Sequence, residues 1–455
     1  DGDIRRAIIK GANLNEKIKK YVNLNASIVT EQISEKEASK LITSRVMVLP
    51  VIDSFQNVIG YFSFKGREKN FSLISKEITV LGMGYVGLTL SAILSQVGFR
   101  VNGYDTNKKV IRNLKKKITP FYEKGLKKYI IQNNKKKLFF VDSLKNIKSS
   151  IFVISVGTPI DNKKNPNLKN LKKAAETVGK SLVEGNLIIL RSTLPVGTTR
   201  KLVIPILEKF SKMKAGRDFS VSFAPERTAE GNALNELREN PQIIGGFDEK
   251  SSEITANFFN TFTHSIVHVP SLEAAEFCKL IDNTYRDHRF AFVNQFVKFS
   301  EKMNLDLTKI VAAVNHGYSR NDIPTPSPGV GGPCLTKDPH ILSYNLSQNN
   351  ISPALIKLSR STNERVVTHV HEKILTGLKK IDKEKNKVKI FIIGMSFKGN
   401  PETSDIRNSS SLDLIKKLKY KNIFIYDALV KYNLEVYKKL NLKISSLKDG
   451  FNKAD

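Results

Sequence analysis

Ile78-Thr79-Val80-Leu81-Gly82-Met83-Gly84-Tyr85-Val86-Gly87-Leu88-Thr89-Leu90-Ser91-Ala92-Ile93-Leu94 is the stretch that decides the fold. A short apolar, β-rich run enters a Gly-x-Gly-x-x-Gly turn, and a helix-like stretch from Leu88 to Val97 leaves it, with Gly98 placed as its C-cap. Arg100-Val101-Asn102-Gly103-Tyr104 reads as a second strand ending at Asp105. Strand, glycine turn, helix, strand, then an acid about 20 residues on: this is the dinucleotide-binding pattern. The glycines let the backbone approach a pyrophosphate at a helix N-terminus. Asp105 suits a ribose 2′-hydroxyl and repels a 2′-phosphate, which favours NAD over NADP. The candidate cofactor contacts are Gly82, Gly84, Tyr85, Val86, Gly87 and Asp105.

Three further runs extend the sheet. Ser150 to Val156 ends in Gly157-Thr158-Pro159, and Leu187 to Leu190 ends in Arg191-Ser192-Thr193. Phe219 to Phe223 ends in Ala224-Pro225-Glu226-Arg227. In open parallel sheets ligands sit beyond the carboxyl ends of the strands. Thr158, Thr193 and Glu226 are therefore placed where chemistry would occur, although each alone reads equally as loop polarity.

Gly331-Gly332-Pro333-Cys334-Leu335-Thr336-Lys337-Asp338 carries one of only two cysteines. A Gly-Gly-Pro lead suits a loop turning into a helix with the proline near its first position. Cys334 would then lie in the first turn, where free N–H groups and the helix dipole favour a thiolate. Lys337 and Asp338 follow at i+3 and i+4, on its face. The bland alternative is a buried cysteine beside a solvated ion pair. Leu272 to Ser300 reads as one helix, with Glu276, Lys279, Asn283 and Arg286 on a single stripe. Cys278 points elsewhere and reads as a small buried residue.

Together these motifs resemble the UDP-glucose/GDP-mannose dehydrogenase family from about Lys76 to the end. The likeness rests on the glycine turn, Ser192-Thr193-Leu194-Pro195-Val196-Gly197, Pro225-Glu226-Arg227, Glu276-Phe277-Cys278-Lys279-Leu280 through Asn283, and Gly329 to Cys334. Gly394-Met395-Ser396-Phe397-Lys398-Gly399 and Asp405-Ile406-Arg407-Asn408-Ser409 complete it. One departure is Asn294-Gln295, where the family often has Asn-Glu.

The resemblance implies oxidation of a sugar C6 alcohol to the carboxylate with two NAD, through a cysteine thioester. It makes Cys334 the nucleophile, Lys279 the oxyanion stabiliser and Asn283 a second donor. Asp338 and Thr193 would hold water or accept a proton, and Glu226 would be the base for thioester hydrolysis, with Glu230 nearby. Thr158, Thr193 and Lys337 join the cofactor contacts. Glu226, Arg227, Glu230, Lys279, Arg320, Lys398 and Arg407 are the implied substrate contacts. Arg227 and the Glu276–Asp287 stretch resemble the branch acting on UDP-ManNAc or UDP-GlcNAc, with UDP-glucose as the alternative sugar.

The implied architecture is α/β. It comprises a Rossmann-type NAD domain (76–270), a central helical dimerisation region with the cysteine loop (271–385) and a second, Rossmann-like UDP-binding domain (386–455), read as truncated. Residues 1–65 resemble a partial CBS domain pair, an α+β module, on Asp1 to Ala7, Val48 to Asp53 and Val58 to Tyr61. Such pairs often bind adenine nucleotides. Residues 66–75 read as a linker, and both ends read as parts of a longer protein.

A net charge of +31 raises nucleic acid or a membrane surface as partners. The lysines, however, are spread through every segment without interleaved aromatics, so neither partner is expected. No apolar run approaches the roughly 20 residues needed to span a bilayer, and the histidines show no metal-ligand spacing. Two cysteines fit a reducing cytoplasm. The family resemblance implies a homodimer or higher oligomer. Two other readings stay open: a two-electron hydroxy-acid-type dehydrogenase, and an inactive fusion whose CBS part senses nucleotides.

Overall fold

The computed structural model describes residues 77–380 and 387–455, apart from 134–135 and 146, together with parts of 27–68. Two compact units divide at Ser75/Lys76.

The first unit holds a four-stranded sheet. Its strands are β1 (Val29–Thr30), β2 (Val48–Ile52), β3 (Val58–Ser63) and β4 (Gly66–Glu68), in that order. β1 runs parallel to β2, and the other pairings are antiparallel. Val29, Ala38, Leu49 and Val51 form its small core. β4 pairs with Tyr61, Phe62 and Ser63, so the sheet continues into residues that read as linker. The Asp1–Ala7 motif lies outside the described residues.

The second unit is built on an eight-stranded sheet: β5 (Glu77–Leu81), β6 (Arg100–Tyr104), β7 (Leu138–Val141), β8 (Ile151–Ile154), β9 (Leu187–Leu190), β10 (Ser220–Phe223), β11 (Gln242–Gly246) and β12 (Ile266–His268). The order is β12-β11-β10-β9-β8-β5-β6-β7. Six parallel strands reproduce the dinucleotide-fold order, and β11 turns antiparallel to β10. β8, β9 and β10 are buried along their whole length, as strands covered on both faces must be. Phe152, Ile188, Val221 and Phe223 pack there against Leu171, Val178 and Leu207 from the covering helices. Each such side chain contributes about 1.5–3 kcal/mol by leaving water.

Helix α1 (Tyr85–Val97) ends at Gly98, whose φ of 120° only glycine adopts easily. The long helix α2 (Leu272–Asn294) is capped by Ser271, whose side chain accepts from the Ala274 amide. It packs so tightly on β11 that a Cβ on Gly245 would overlap the Ser271 carbonyl. The helix read as Leu272 to Ser300 stops at Asn294 and resumes at Val297–Lys302. α3 (Asp338–Gln348) and α4 (Ala354–Leu378) pack against α2.

A second sheet follows, with parallel strands β13 (Lys389–Ile393), β14 (Asn422–Tyr426) and β15 (Lys443–Ile444). It repeats a device of the first. Gly82 and Gly394 both follow a strand with positive φ, and their amides donate to Tyr104 and Tyr426. The next amide, of Met83 or Met395, donates to Asp105 or Asp427 at the end of the neighbouring strand, at 2.8 Å in each case. No helix among the described residues is long and apolar enough to cross a membrane.

Candidate active site

The glycine turn is shaped by what its glycines exclude. A Cβ on Gly82 would lie 2.6 Å from the Ser155 carbonyl oxygen, and one on Gly87 would overlap the Gly82 carbonyl. Gly84 faces open space, with nothing within 4 Å of where a Cβ would stand. No side chain caps α1 there, so its first amides are free for an anion. A cavity of about 330 Å³ runs from this turn along Asp105, Ser155, Gly157 and Lys173. Asp105 is fixed at its rim by the amides of Met83 and Asn107, both at 2.8 Å. These residues fit a dinucleotide: a cradle open to phosphate and a carboxylate for a ribose. Val86 stands half-buried in the first turn. The Tyr85 hydroxyl is turned into the protein, donating to Glu123 and accepting from the Gly231 amide at 2.7 Å. Glu123 also accepts from the amides of Gly231 and Ala233, so the pair pins the 226–233 loop to α1.

The strand-end loops meet as expected, yet two side chains are already occupied. The Thr158 hydroxyl donates to the Thr193 carbonyl at 2.6 Å, tying two loops together and leaving the half-buried Thr193 side chain beside the site. Glu226 is buried and ion-paired with the fully buried Arg191, and it accepts the Thr228 amide at 2.8 Å. Burial works to raise its pKa. Arg191, that amide and Lys279 outweigh burial and hold the carboxyl below its ordinary range. A carboxylate so stabilised is a weak base, which counts against the expected hydrolytic role of Glu226.

α2 supplies the expected stripe. Glu276 accepts from the Gly197 and Thr199 amides and the Thr199 hydroxyl, and so anchors the Ser192–Gly197 turn. Burial lifts its pKa to about 7 against those hydrogen bonds. Asn283 donates to Asp338 at 2.6 Å, and Lys337 pairs with the other oxygen of that carboxylate. Lys337 is therefore committed to Asp338, although it also lines a second cavity of about 1150 Å³ with Thr158, Pro333 and Arg407.

Cys334 precedes a helix instead of lying within its first turn. α3 starts at Asp338, and its early proline is Pro339. The Cys334 carbonyl accepts from the Lys337 and Asp338 amides at 3.0 and 2.8 Å, a single turn that leads into α3. Solvent reaches Cys334. Even so, desolvation by the surrounding protein, with Asp338 adding to it, pushes the thiol pKa up; Lys279 and Lys337 pull the other way. The expected dipole-stabilised thiolate is not what the resting geometry favours, because burial and the Asp338 charge outweigh Lys279 and Lys337.

The second α/β domain closes the site. Glu230 accepts from Thr403 at 3.1 Å and pairs with Arg407 at 3.4 Å, while Arg407 holds Asp405 in a fork. Burial, then the Asp405 charge, raises the Glu230 pKa to about 7 against Arg407 and Thr403. Lys398 lies in the field of Glu230, and burial pushes its own pKa down.

Residues 76–263 match the NAD binding domain of the UDP-glucose/GDP-mannose dehydrogenase family, and residues 273–365 match its central domain. A UDP-N-acetyl-D-mannosamine dehydrogenase of Pyrococcus horikoshii is 32% identical over 360 residues, 78% of this chain and 84% of that protein. The chain belongs to the UDP-glucose/GDP-mannose dehydrogenase family. A UDP-N-acetyl-D-mannosamine dehydrogenase of Methanocaldococcus jannaschii is 34% identical over 370 residues, 78% of this chain and 81% of its own. The solved UDP-D-ManNAc dehydrogenase of Pyrococcus horikoshii superposes with a TM-score of 0.71 at 30% identity, covering 78% of this chain and 86% of that one.

This member of the dehydrogenase family gathers Cys334, Lys279, Asn283, Asp338, Glu226, Glu230, Lys398 and Arg407 into one electrostatic neighbourhood. It leaves two expected residues apart. Arg227 donates to the Pro241 carbonyl at 2.6 Å, and Arg320 is exposed over the Tyr318 ring. Sequence reasoning assigned no role to Arg191, Glu123 or Thr403. A charged residue directly after the apolar run Leu187–Leu190 was the one available signal for Arg191.

Proposed function

We propose that this dehydrogenase oxidises the C6 alcohol of a UDP-N-acetylhexosamine to the uronate through a thioester on Cys334. Bound NAD supplies the hydride acceptor, one equivalent for each of two oxidations. The Cys334 sulfur adds to the C6 aldehyde left by the first, and the aldehyde oxygen takes a proton. The second oxidation removes the C6 hydrogen of that thiohemiacetal as hydride, its hydroxyl gives up a proton to the site, and a thioester remains. Water attacks, the C–S bond breaks, and the sulfur recovers its proton.

Lys279 has the position to stabilise negative charge on the C6 oxygen, because its field reaches both Glu226 and Cys334. Asn283 and Asp338 form a hydrogen-bonded pair beside it that orients the alcohol or the water. Glu230, with a pKa of about 7, is the better-matched base for hydrolysis. Glu226 serves as a fixed anion. Lys398 and Arg407 would take the nucleotide end of the substrate from the second α/β domain, with Arg227 contributing only after leaving Pro241.

The observation that carries this reading is the exposed Cys334 thiol in the combined field of two lysines and two carboxylates, Lys279, Lys337, Asp338 and Glu230. Relatives named for UDP-N-acetyl-D-mannosamine support the choice of sugar. The test is NADH released per uronate across UDP-ManNAc, UDP-GlcNAc and UDP-glucose. A ratio of two with an N-acetyl sugar is expected, and Cys334→Ser should end uronate formation while NAD still binds. A ratio of one would sink the thioester.

We also read the chain as a homodimer. Phe277, Ile281, Tyr285, Phe292, Phe296 and Phe299 form a helical stripe left facing solvent, Phe299 being 63% exposed. Arg320 is free to reach a partner's site. A monomer by light scattering, with activity kept, would refute this. In the N-terminal unit, β2 and β3 coincide with the stretches that resemble a CBS pair, and an adenine nucleotide is the ligand proposed there. Calorimetric titration with AMP and ATP tests it, and no heat with either would end the proposal.

A further inference from the structure

A buried polar network runs beneath the cysteine loop and is not used by the mechanism above. Arg360 on α4 donates through Nη1 to Asp287 Oδ1 on α2 and to the Leu335 carbonyl at 3.2 Å. Leu335 is bonded directly to Cys334. Asn363, one turn along α4, donates to the carbonyl and Oδ1 of Asp287 at 2.9 and 2.8 Å. Its own oxygen accepts from Asn294 at 3.1 Å, and the Asn294 oxygen accepts the Ser327 amide at 3.1 Å. Ser327 in turn donates to the Gly329 carbonyl at 3.0 Å. One connected network thus grips the loop at both ends, at Ser327 and at Leu335.

Between these ends the loop has no room to move toward the second domain. A Cβ on Gly331 would stand 2.5 Å from the Asn408 carbonyl oxygen, and one on Gly332 would stand 2.7 Å from the Phe397 ring. The network is also not arranged for stability alone. Asp287, Arg360 and Asn363 are 0%, 3% and 1% exposed, yet Asp287 Oδ2 and Arg360 Nε have no hydrogen-bond partner. A buried ion pair left partly unsatisfied is a poor way to stabilise a fold. Such departures concentrate where geometry serves a site.

We propose that Arg360, oriented by Asp287 and Asn363, is a positioning residue that sets the Cys334 thiol, with Asn294 fixing the far end of the same loop. This rests on Cys334 being the nucleophile of the proposed function. It has a specific consequence. Oxidation of the alcohol to the aldehyde does not use the thiol, whereas capture of the aldehyde does. Loosening the network therefore slows the second oxidation and releases aldehyde, while NAD binding and the first oxidation persist.

Arg360→Lys keeps a cation against Asp287 but is shorter and lacks the guanidinium whose Nη1 reaches both Asp287 and the Leu335 carbonyl. The expected result is uronate formation slowed on the order of 10²-fold, the scale of an ångström-level misplacement. The KM for the sugar should change little, NADH per uronate should rise above two, and aldehyde should become trappable by hydroxylamine. Iodoacetamide should alkylate Cys334 at a rate different from wild type. If Arg360→Lys does not fold, Asn294→Leu releases the Ser327 end without touching the ion pair, and the same measurements apply. Wild-type kinetics, or NADH and uronate falling together with no trapped aldehyde and an unchanged alkylation rate, would overturn the proposal. The alkylation rate needs no sugar. It therefore tests the positioning even if wild type yields one NADH per product, a result that would instead defeat the thioester reading.

Discussion

Arg191→Met removes the cation that neutralises Glu226 at the heart of the sheet. The Arg191 side chain is 0% exposed and that of Glu226 8%, so water cannot replace the lost partner. Arg191 also donates to Gln242 at 3.0 Å and lies 5.2 Å over the Phe259 ring, where methionine can fill much of the same space. What remains is a buried carboxylate with the Thr228 amide and the field of Lys279. Breaking such a pair costs about 3–5 kcal/mol at neutral pH.

The pH dependence gives the loss a signature. In wild type the folded pKa of Glu226 is depressed. Its stabilisation is complete above the unfolded value of about 4.3 and is lost only as pH falls through the lower folded value. In Arg191→Met burial outweighs the remaining Thr228 amide and Lys279 and the folded pKa rises, so that variant gains stability as pH falls from neutral toward about 4.3. The gap between the two proteins should therefore shrink between about pH 7.5 and about pH 5. Arg191→Met combined with Glu226→Gln should recover most of the loss, leaving about 1 kcal/mol for the hydrogen bonds given up. Urea unfolding followed by circular dichroism suits the chain, which has no tryptophan. A neutral-pH loss under about 1 kcal/mol, or one that does not narrow on acidification, would refute the assignment of a buried, mutually dependent pair.

Glu230 should impose the acid limb on turnover. With its pKa at about 7, activity rises as pH passes that value, and Glu230→Gln should flatten the limb; an unchanged pH profile in that variant would remove Glu230 from the chemistry. Because its folded pKa is raised, the same group costs stability as pH climbs from its unfolded value to about 7. Gly87→Ala forces a Cβ into the Gly82 carbonyl, so the turn must open. A stability loss of about 1–3 kcal/mol with NAD affinity reduced is expected, and calorimetry showing wild-type affinity would contradict the tight-turn argument. Asp105 should hold kcat/KM for NADP at least about 10²-fold below that for NAD, since opposed like charges cost several kcal/mol. Asp105→Asn should narrow the ratio, and equal use of both cofactors by wild type would refute its role.

Much of the fold was legible because its signals are local. The run Ile78–Leu81, the glycine turn and Gly98 specify strand, turn, helix and stop within a few residues of one another, and the structure repeats them almost residue for residue. The fully apolar runs at Ile151–Ile154 and Leu187–Leu190 announced strands covered on both faces, and strands they are. The sixth parallel strand, Leu138–Val141, was not read from the sequence, and the strand order came from the structure. The sequence also determined which residue types could do chemistry: one cysteine after a glycine pair, and a lysine and an asparagine four residues apart on a helix. What it left open was the protonation and partnership of those groups. Glu226 meets Arg191 across 35 residues because β9 and β10 are neighbours, and Glu230 meets Arg407 across 177 because a second domain folds over the first. Tyr85 stands in the glycine turn, and only the fold shows that Glu123, 38 residues on, takes its hydroxyl. Cys334 reads as a helix-terminal thiolate until α3 starts four residues late and the surrounding protein, with the Asp338 charge, raises the thiol pKa. Local sequence fixes backbone preference over a turn or two. Charge state depends on how much water the whole assembly excludes and which distant charges it brings near, and only the tertiary structure decides that.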